Sequence, residues 1–269
     1  MDRYRLKNIM IIILALLNLA LLASLAYRKT AERTAWLRTQ EQLVELFAAD
    51  GVELDGSIIP SRDPAAPLTM SRDGKREREV AAFFLGEALQ YEDQGGDIYS
   101  YTNPYGVALF RGDGSFDVVG ARPVENVQEA CRSFCKKFSY GEPVFTLDEH
   151  GNGTAVATYL LNEQSVYNCT VTIEIEQGAI QMVGGNVLPE SGVLTVPDRE
   201  LLSASAALTA FQKMRRETGA VVSAVTEIYP CYRLQSTTAV PMSLVPAWCI
   251  VTDTSRYYVN CVSGAVTTG

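Results

Sequence analysis

An α+β fold carried behind one N-terminal transmembrane helix is what this sequence predicts, on three observations. Residues Ile9 to Tyr27 form 19 consecutive uncharged, mostly apolar positions. From residue 126 onward a helix followed by several strands occurs twice, each copy closing on a glycine-alanine-aliphatic step, Gly178-Ala179-Ile180 and Gly264-Ala265-Val266. The alternation in Thr172-Ile173-Glu174-Ile175-Glu176 marks a strand wet on one face, as in an antiparallel sheet covered by helices on the other. The architecture expected is therefore tandem units of a helix packed on an antiparallel β-sheet.

The apolar run comes first. As a helix it spans about 28 Å at 1.5 Å per residue, close to a hydrocarbon core of about 30 Å. Its eleven Leu and Ile residues favour insertion. The neutral amide of Asn18 opposes this less than a central charge does. The rival reading is a cleaved signal peptide, since Arg3, Arg5 and Lys7 precede the run and Ser24-Leu25-Ala26 offers small residues at processing spacing. Retention is preferred because the run exceeds a usual signal core and passes directly into more helix-forming sequence. A lipoprotein anchor here is excluded, because no cysteine precedes Cys131.

Charge divides along the same line. The net charge is −8. Residues 1–29 hold five Lys/Arg and one Asp, which leaves 18 Lys/Arg against 30 Asp/Glu in the other 240 residues, a net −12. Such a body repels phosphate backbones, so nucleic acid is set aside as a partner. Arg28, Lys29, Arg33 and Arg38 follow the run, so positive-charge counting does not fix orientation. The short tail 1–8, the acidic body and six cysteines favour a cytoplasmic N-terminus and an extracytoplasmic body.

The segment 28–74 reads as a helical stalk, with Trp36, Leu43 and Phe47 along one side, stopped at Asp50-Gly51 and followed by a linker holding Pro60, Pro64 and Pro67. A first α+β unit is expected over 75–190 and a second over 191–269. The first opens with a helix over 75–91, striped by Ala81, Phe84, Leu85, Ala88 and Leu89. Strands follow near 97–102, 105–111 and 115–119, the last two joined by the turn Gly112-Asp113-Gly114. Asn126 then caps a helix whose apolar face carries Cys131, Phe134, Cys135 and Phe138. Strands are expected near 143–147, 154–161 and 165–176. A helix over 198–217, started by Pro197-Asp198 and closed by Gly219, leads into strands near 221–237, 245–252 and 256–262.

Chemistry is scarce. The single histidine, His150, sits in Asp148-Glu149-His150-Gly151-Asn152-Gly153, an incomplete calcium spacing better read as a hairpin turn. One histidine leaves no dispersed catalytic triad, and neither a nucleophile elbow nor a phosphate loop is present. Cys131 and Cys135 lie one helical turn apart without a second pair, so zinc is not expected. No catalytic residue, cofactor or metal is assigned. Glu174 and Glu176 read as the solvated face of a strand. Tyr99, Tyr101, Tyr105, Tyr257 and Tyr258 read as core or sheet surface rather than a peptide or glycan groove.

Two further expectations concern sites. A three-residue loop at 254–256 places Cys249 opposite Cys261, within disulfide reach, whereas a two-residue loop sends the sulfurs to opposite faces. Asn18, Ala20 and Ser24 are candidate partner-binding residues in the membrane, the amide as a hydrogen-bonding group and the small pair as a place for close helix approach.

The chain's ends resemble the YycI family. The residues concerned are Met1-Asp2-Arg3-Tyr4-Arg5-Leu6-Lys7-Asn8 running into the apolar helix with Asn18, and Leu244-Val245-Pro246-Ala247-Trp248, Thr252-Asp253, Tyr257-Tyr258-Val259-Asn260 and Gly264. The C-terminal stretch is also similar to the strand-turn-strand end of PepSY-type modules. The resemblance implies tandem α+β units outside the membrane, no catalysis, and control of a WalK/YycG-like sensor histidine kinase in cell-wall homeostasis together with a YycH-like protein. The alternatives are an anchored or secreted PepSY-like binding or inhibitory module and a cell-envelope hydrolase.

Overall fold

The computed structural model describes residues 3–190, 193–196, 200–237 and 242–269. Helix α1 (Arg3–Ala49) is unbroken across the apolar run and the stalk. It contains a stretch of mean hydropathy 2.4 with none of it buried, long and apolar enough to cross a membrane. Beyond it come β1 (Glu53–Leu54), a 3-10 turn (Gly56–Ile58) and β2 (Leu68–Met70).

A helix followed by a four-stranded meander then occurs three times. The first set is α2 (Gly74–Leu85) with β3 (Gln90–Gly95), β4 (Ile98–Asn103), β5 (Gly106–Arg111) and β6 (Ser115–Val119). The second is α3 (Val127–Lys137) with β7 (Val144–Leu147), β8 (Gly153–Leu161), β9 (Gln164–Glu176) and β10 (Ala179–Asn186). After β11 (Val193–Thr195) the third is α4 (Ala204–Thr218) with β12 (Ala224–Gln235), β13 (Met242–Thr252), β14 (Arg256–Asn260) and β15 (Val266–Thr268). Within each meander consecutive strands pair antiparallel. The fold is thus α+β, and the first two sets fall within the span 75–190.

The strand of the first set that the sequence pattern missed is β3. Its residues, Gln-Tyr-Glu-Asp-Gln-Gly, are exposed throughout and pair on one side only, so no apolar alternation betrays them. Helix α2 also ends earlier than expected: Gly86, at φ 98°, leaves helical space, and its N–H closes on the Ala82 carbonyl. Ala88 and Leu89 therefore lie outside the helix. Helix α3 starts as expected, with the Asn126 side chain accepting from Glu129 N. Helix α4 is capped by Ser203, which accepts from Ala206 N. The expected start at Pro197-Asp198 falls outside the described residues.

The three meanders fuse into one sheet. Strand β6 pairs antiparallel with β10, while β9 meets β12 in parallel at Val166 and Tyr232 alone. That narrow junction is reinforced by Asn168, whose amide accepts from Leu234 N at 2.7 Å and donates to Leu234 O at 2.8 Å. A side chain thus supplies the pair of bonds that a neighbouring backbone would give. Tyr167 stacks on Tyr258 across the same junction, ring centroids 3.7 Å apart.

Two apolar cores lie under the helices. The larger gathers α2, α3 and their strands around Phe84, Phe110, Phe116, Phe134 and Phe138. The smaller gathers α4, β12–β14 and the end of α1 around Phe47, Phe211, Trp248 and Ile250. The segment 51–74, expected as a linker, belongs to the body. Its Val52, Leu54 and Ile59 are buried in the smaller core and its Met70 in the larger. Strand β1 lies parallel to β12 and β2 antiparallel to β13, so the chain enters the last meander's sheet before building the first.

Candidate functional site at the root of the apolar helix

The expected partner-binding residues lie on α1, and helix geometry separates them. At about 100° per residue, Ala20 and Ser24 stand roughly 160° and 120° around the axis from Asn18. Asn18 is instead about five turns from Trp36 and on its side of the helix. Trp36 packs against the smaller core. Asn18 therefore lies on the body's side of the helix, and the small pair lies on the other.

The root of the helix is built into the body. Leu43 and Phe47 are buried, and Trp36, Val44 and Leu46 pack beside them, a spacing that keeps one side of α1 against the core. Phe47 stacks on Phe211 of α4 at 6.3 Å and 19°, and Phe211 in turn meets Tyr257 at 4.9 Å. Gly51 at φ 71° stops the helix, and Val52 N–H returns to the Phe47 carbonyl at 3.0 Å.

Asp50 then ties the helix end to α4. Its Oδ2 accepts from Arg216 Nε at 2.6 Å and from the buried Gln212 amide, with Arg215 Nη2 at 3.2 Å. Gln212 is held in turn by Arg215 Nε, which donates to its Oε1 at 3.1 Å. The Arg216 hydrogen bond, with the charges of both arginines, holds the Asp50 carboxyl below its ordinary range. The sequence pattern read Asp50-Gly51 only as a stop signal. The Arg215-Arg216 pair in the last turn of α4 was the one sign of a partner for it.

Several other polar groups serve the fold. Asp148 accepts from the backbone N–H of His150 and Asn152 at 2.9 and 2.8 Å, closing its own turn. Glu174 and Glu176 stand exposed on β9. Tyr101 is buried and donates to Gly74 O at 3.2 Å, while Arg72 lies over the Tyr99 ring at 3.2 Å. Burial pushes the Glu77 carboxyl up, and the Arg72 fork, donating at 2.8 and 2.6 Å, pulls it back. Arg76 is buried in the first turn of α2, against the Phe138 ring at 4.6 Å and paired with Glu190, a buried charge that no local pattern announces. Among the described residues, no three His, Cys, Asp or Glu side chains gather as metal ligands.

The cysteine expectation is corrected. Val251 pairs with Arg256, so Cys249 faces Tyr258, and Cys261 lies beside Pro246 on the other face of β13. Thr252 sets this register: its N–H and hydroxyl both bond Ser255 O, closing a two-residue turn at Asp253-Thr254. All six cysteines are buried free thiols. Burial pushes Cys131 to about 11 and Cys135 and Cys261 to about 12.

No protein-family model matches the chain, and no curated protein matches it. Among solved structures, the chain is similar in shape to an uncharacterized protein from Eubacterium rectale, at 12% identity and a TM-score of 0.43 over 77% of this chain and 81% of that one. It is also similar to the Bacillus megaterium YpeB C-terminal domain, at 13% identity and a TM-score of 0.35 over 74% of this chain and 98% of that one. The YycI resemblance accordingly stands on the terminal residues that carry it.

Proposed function

We propose that this chain is a non-catalytic, membrane-anchored regulator, its body outside the membrane and its N-terminus in the cytoplasm. It modulates a sensor histidine kinase of cell-wall homeostasis, with a YycH-like protein as co-partner, through contacts of its helix and body. The observation that supports a regulatory rather than a merely anchoring helix is its root. A plain anchor needs only a flexible leash, whereas α1 runs without a break into a buried aromatic stack and the Asp50 clamp. Displacement or rotation of the helix in the bilayer is thereby passed to the body, and the reverse holds equally.

Asn18 is the residue placed to bias that coupling. A partner helix bonded to its amide lies on the body's side and meets both parts at once. Interhelical hydrogen bonds in membranes average about 0.6 kcal/mol, so the amide sets register more than it supplies affinity. Crosslinking pull-down of the full-length protein from membranes tests the reading. Asn18→Leu is expected to preserve insertion, weaken co-purification with the kinase, and change output of its target promoters. Ser24→Ile probes the opposite side of the helix. Unchanged association and output in both variants would overturn the proposal.

A further inference from the structure

A cleft of about 370 Å³ opens between α2 and α3, away from the root of α1. Four cations from three separate segments converge on it: Lys75 and Arg78 from α2, Arg122 from the loop after β6, and Lys137 from the last turn of α3. Its floor is the half-buried Phe83 ring, which rests edge-on against Phe134 at 5.4 Å and Phe138 at 6.0 Å. Lys75 has a loose partner in Glu79 at 3.8 Å. Among the described residues, Arg78, Arg122 and Lys137 make no ion pair with an acidic side chain.

Lys137 has a local reason to be there, since a cation in a helix's last turn meets the negative end of its dipole, and Lys75 has its i,i+4 pair with Glu79. Arg78 and Arg122 have neither. Like charges drawn to one apolar floor repel each other, and the body carries 30 acidic against 18 basic residues from which partners were available. We infer that the cleft docks an acidic segment of a partner protein, with an apolar side chain seated on Phe83 and carboxylates reaching Arg78, Arg122 and Lys137. Glu79 and Glu87 also line the cleft. They disfavour a compact multivalent anion such as phosphate and favour carboxylates spaced apart. The charges are exposed, so the affinity is modest and salt-sensitive, and its value lies in choosing the partner.

The inference stands apart from the kinase reading, because its readout is peptide binding rather than association or promoter output. Full-length protein in nanodiscs is titrated against a short, blocked, fluorescent peptide of alternating Glu and Leu, followed by anisotropy. A Lys-Leu peptide serves as the control. Saturable binding of the acidic peptide alone is expected, weakened roughly tenfold by Arg78→Glu with Arg122→Glu, as reversal of two rim charges implies. These side chains are exposed, so the variants fold. Three results overturn the inference: no binding, binding indifferent to the reversals, or equal competition by inorganic phosphate or phosphatidylglycerol vesicles. Self-association abolished by the same reversals assigns the cleft to a second copy and also overturns it.

Discussion

Replacing Phe47 by alanine should detach the helix from the body, and the size of the effect follows from its surroundings. The ring is fully buried, stacked on Phe211, and lies in a core that also holds Leu43, Leu208 and Trp248. Removing a fully buried phenylalanine costs about 3 to 5 kcal/mol, transfer and cavity terms together. With a denaturant slope of about 3 kcal/mol per M, that lowers the urea midpoint by roughly 1 to 1.7 M. Leu37→Ala on the same helix is the control: Leu37 is 50% exposed, and such a change falls within about 0.5 kcal/mol. Pulse proteolysis of the full chain in micelles measures both. The reasoning fails if the two variants unfold together, because the root of α1 would then contribute no more than its solvated face.

Other consequences are open to direct measurement. Asp50, whose carboxyl is lowered in the folded state, contributes stability that is present above the ordinary carboxylate range and lost as pH falls through its folded value. Asp50→Ala should therefore destabilise the body at neutral pH and flatten the acid limb of its stability profile; an unchanged limb refutes the clamp. Asn168→Ala leaves Leu234 N–H and C=O without their side-chain partners and should cost about 1 to 2 kcal/mol, seen first as faster hydrogen exchange at Leu234. Maleimide labelling at pH 8 should be slow on the native protein, since burial holds the thiols protonated, and should reach all six cysteines in denaturant without reductant. An intact mass showing a disulfide contradicts this.

The sequence made the helices legible and the strand pairing less so. The apolar face of α3 and its Asn126 cap were readable because each is written within a dozen residues, and β9 because its alternation is strict. What failed depended on information outside the local window. Strand β3 has no buried face, so nothing in its composition marks it. The Cys249–Cys261 register turned on whether Thr252 or Asp253 closes the turn, a choice made by two hydrogen bonds from Thr252. Asp50 and its partners stand more than 160 residues apart in the chain, and only folding brings them together. Asn18, Ala20 and Ser24 are legible as candidates one by one, but their faces follow from the uninterrupted helix linking them to Trp36.

That continuity makes the stretch between the bilayer and the body a phase-setting element. Residues 28–35 are helical yet exposed on all sides, so nothing but their number fixes how the apolar segment is turned relative to the body. Each added residue turns one against the other by about 100° and lifts the body by about 1.5 Å. Seven added residues nearly restore the phase, within about 20°, while raising the body by about 10 Å. Inserted lengths in this stretch thus separate two quantities a flexible tether would blur: which side of the helix the body overhangs, and how far above the membrane it stands.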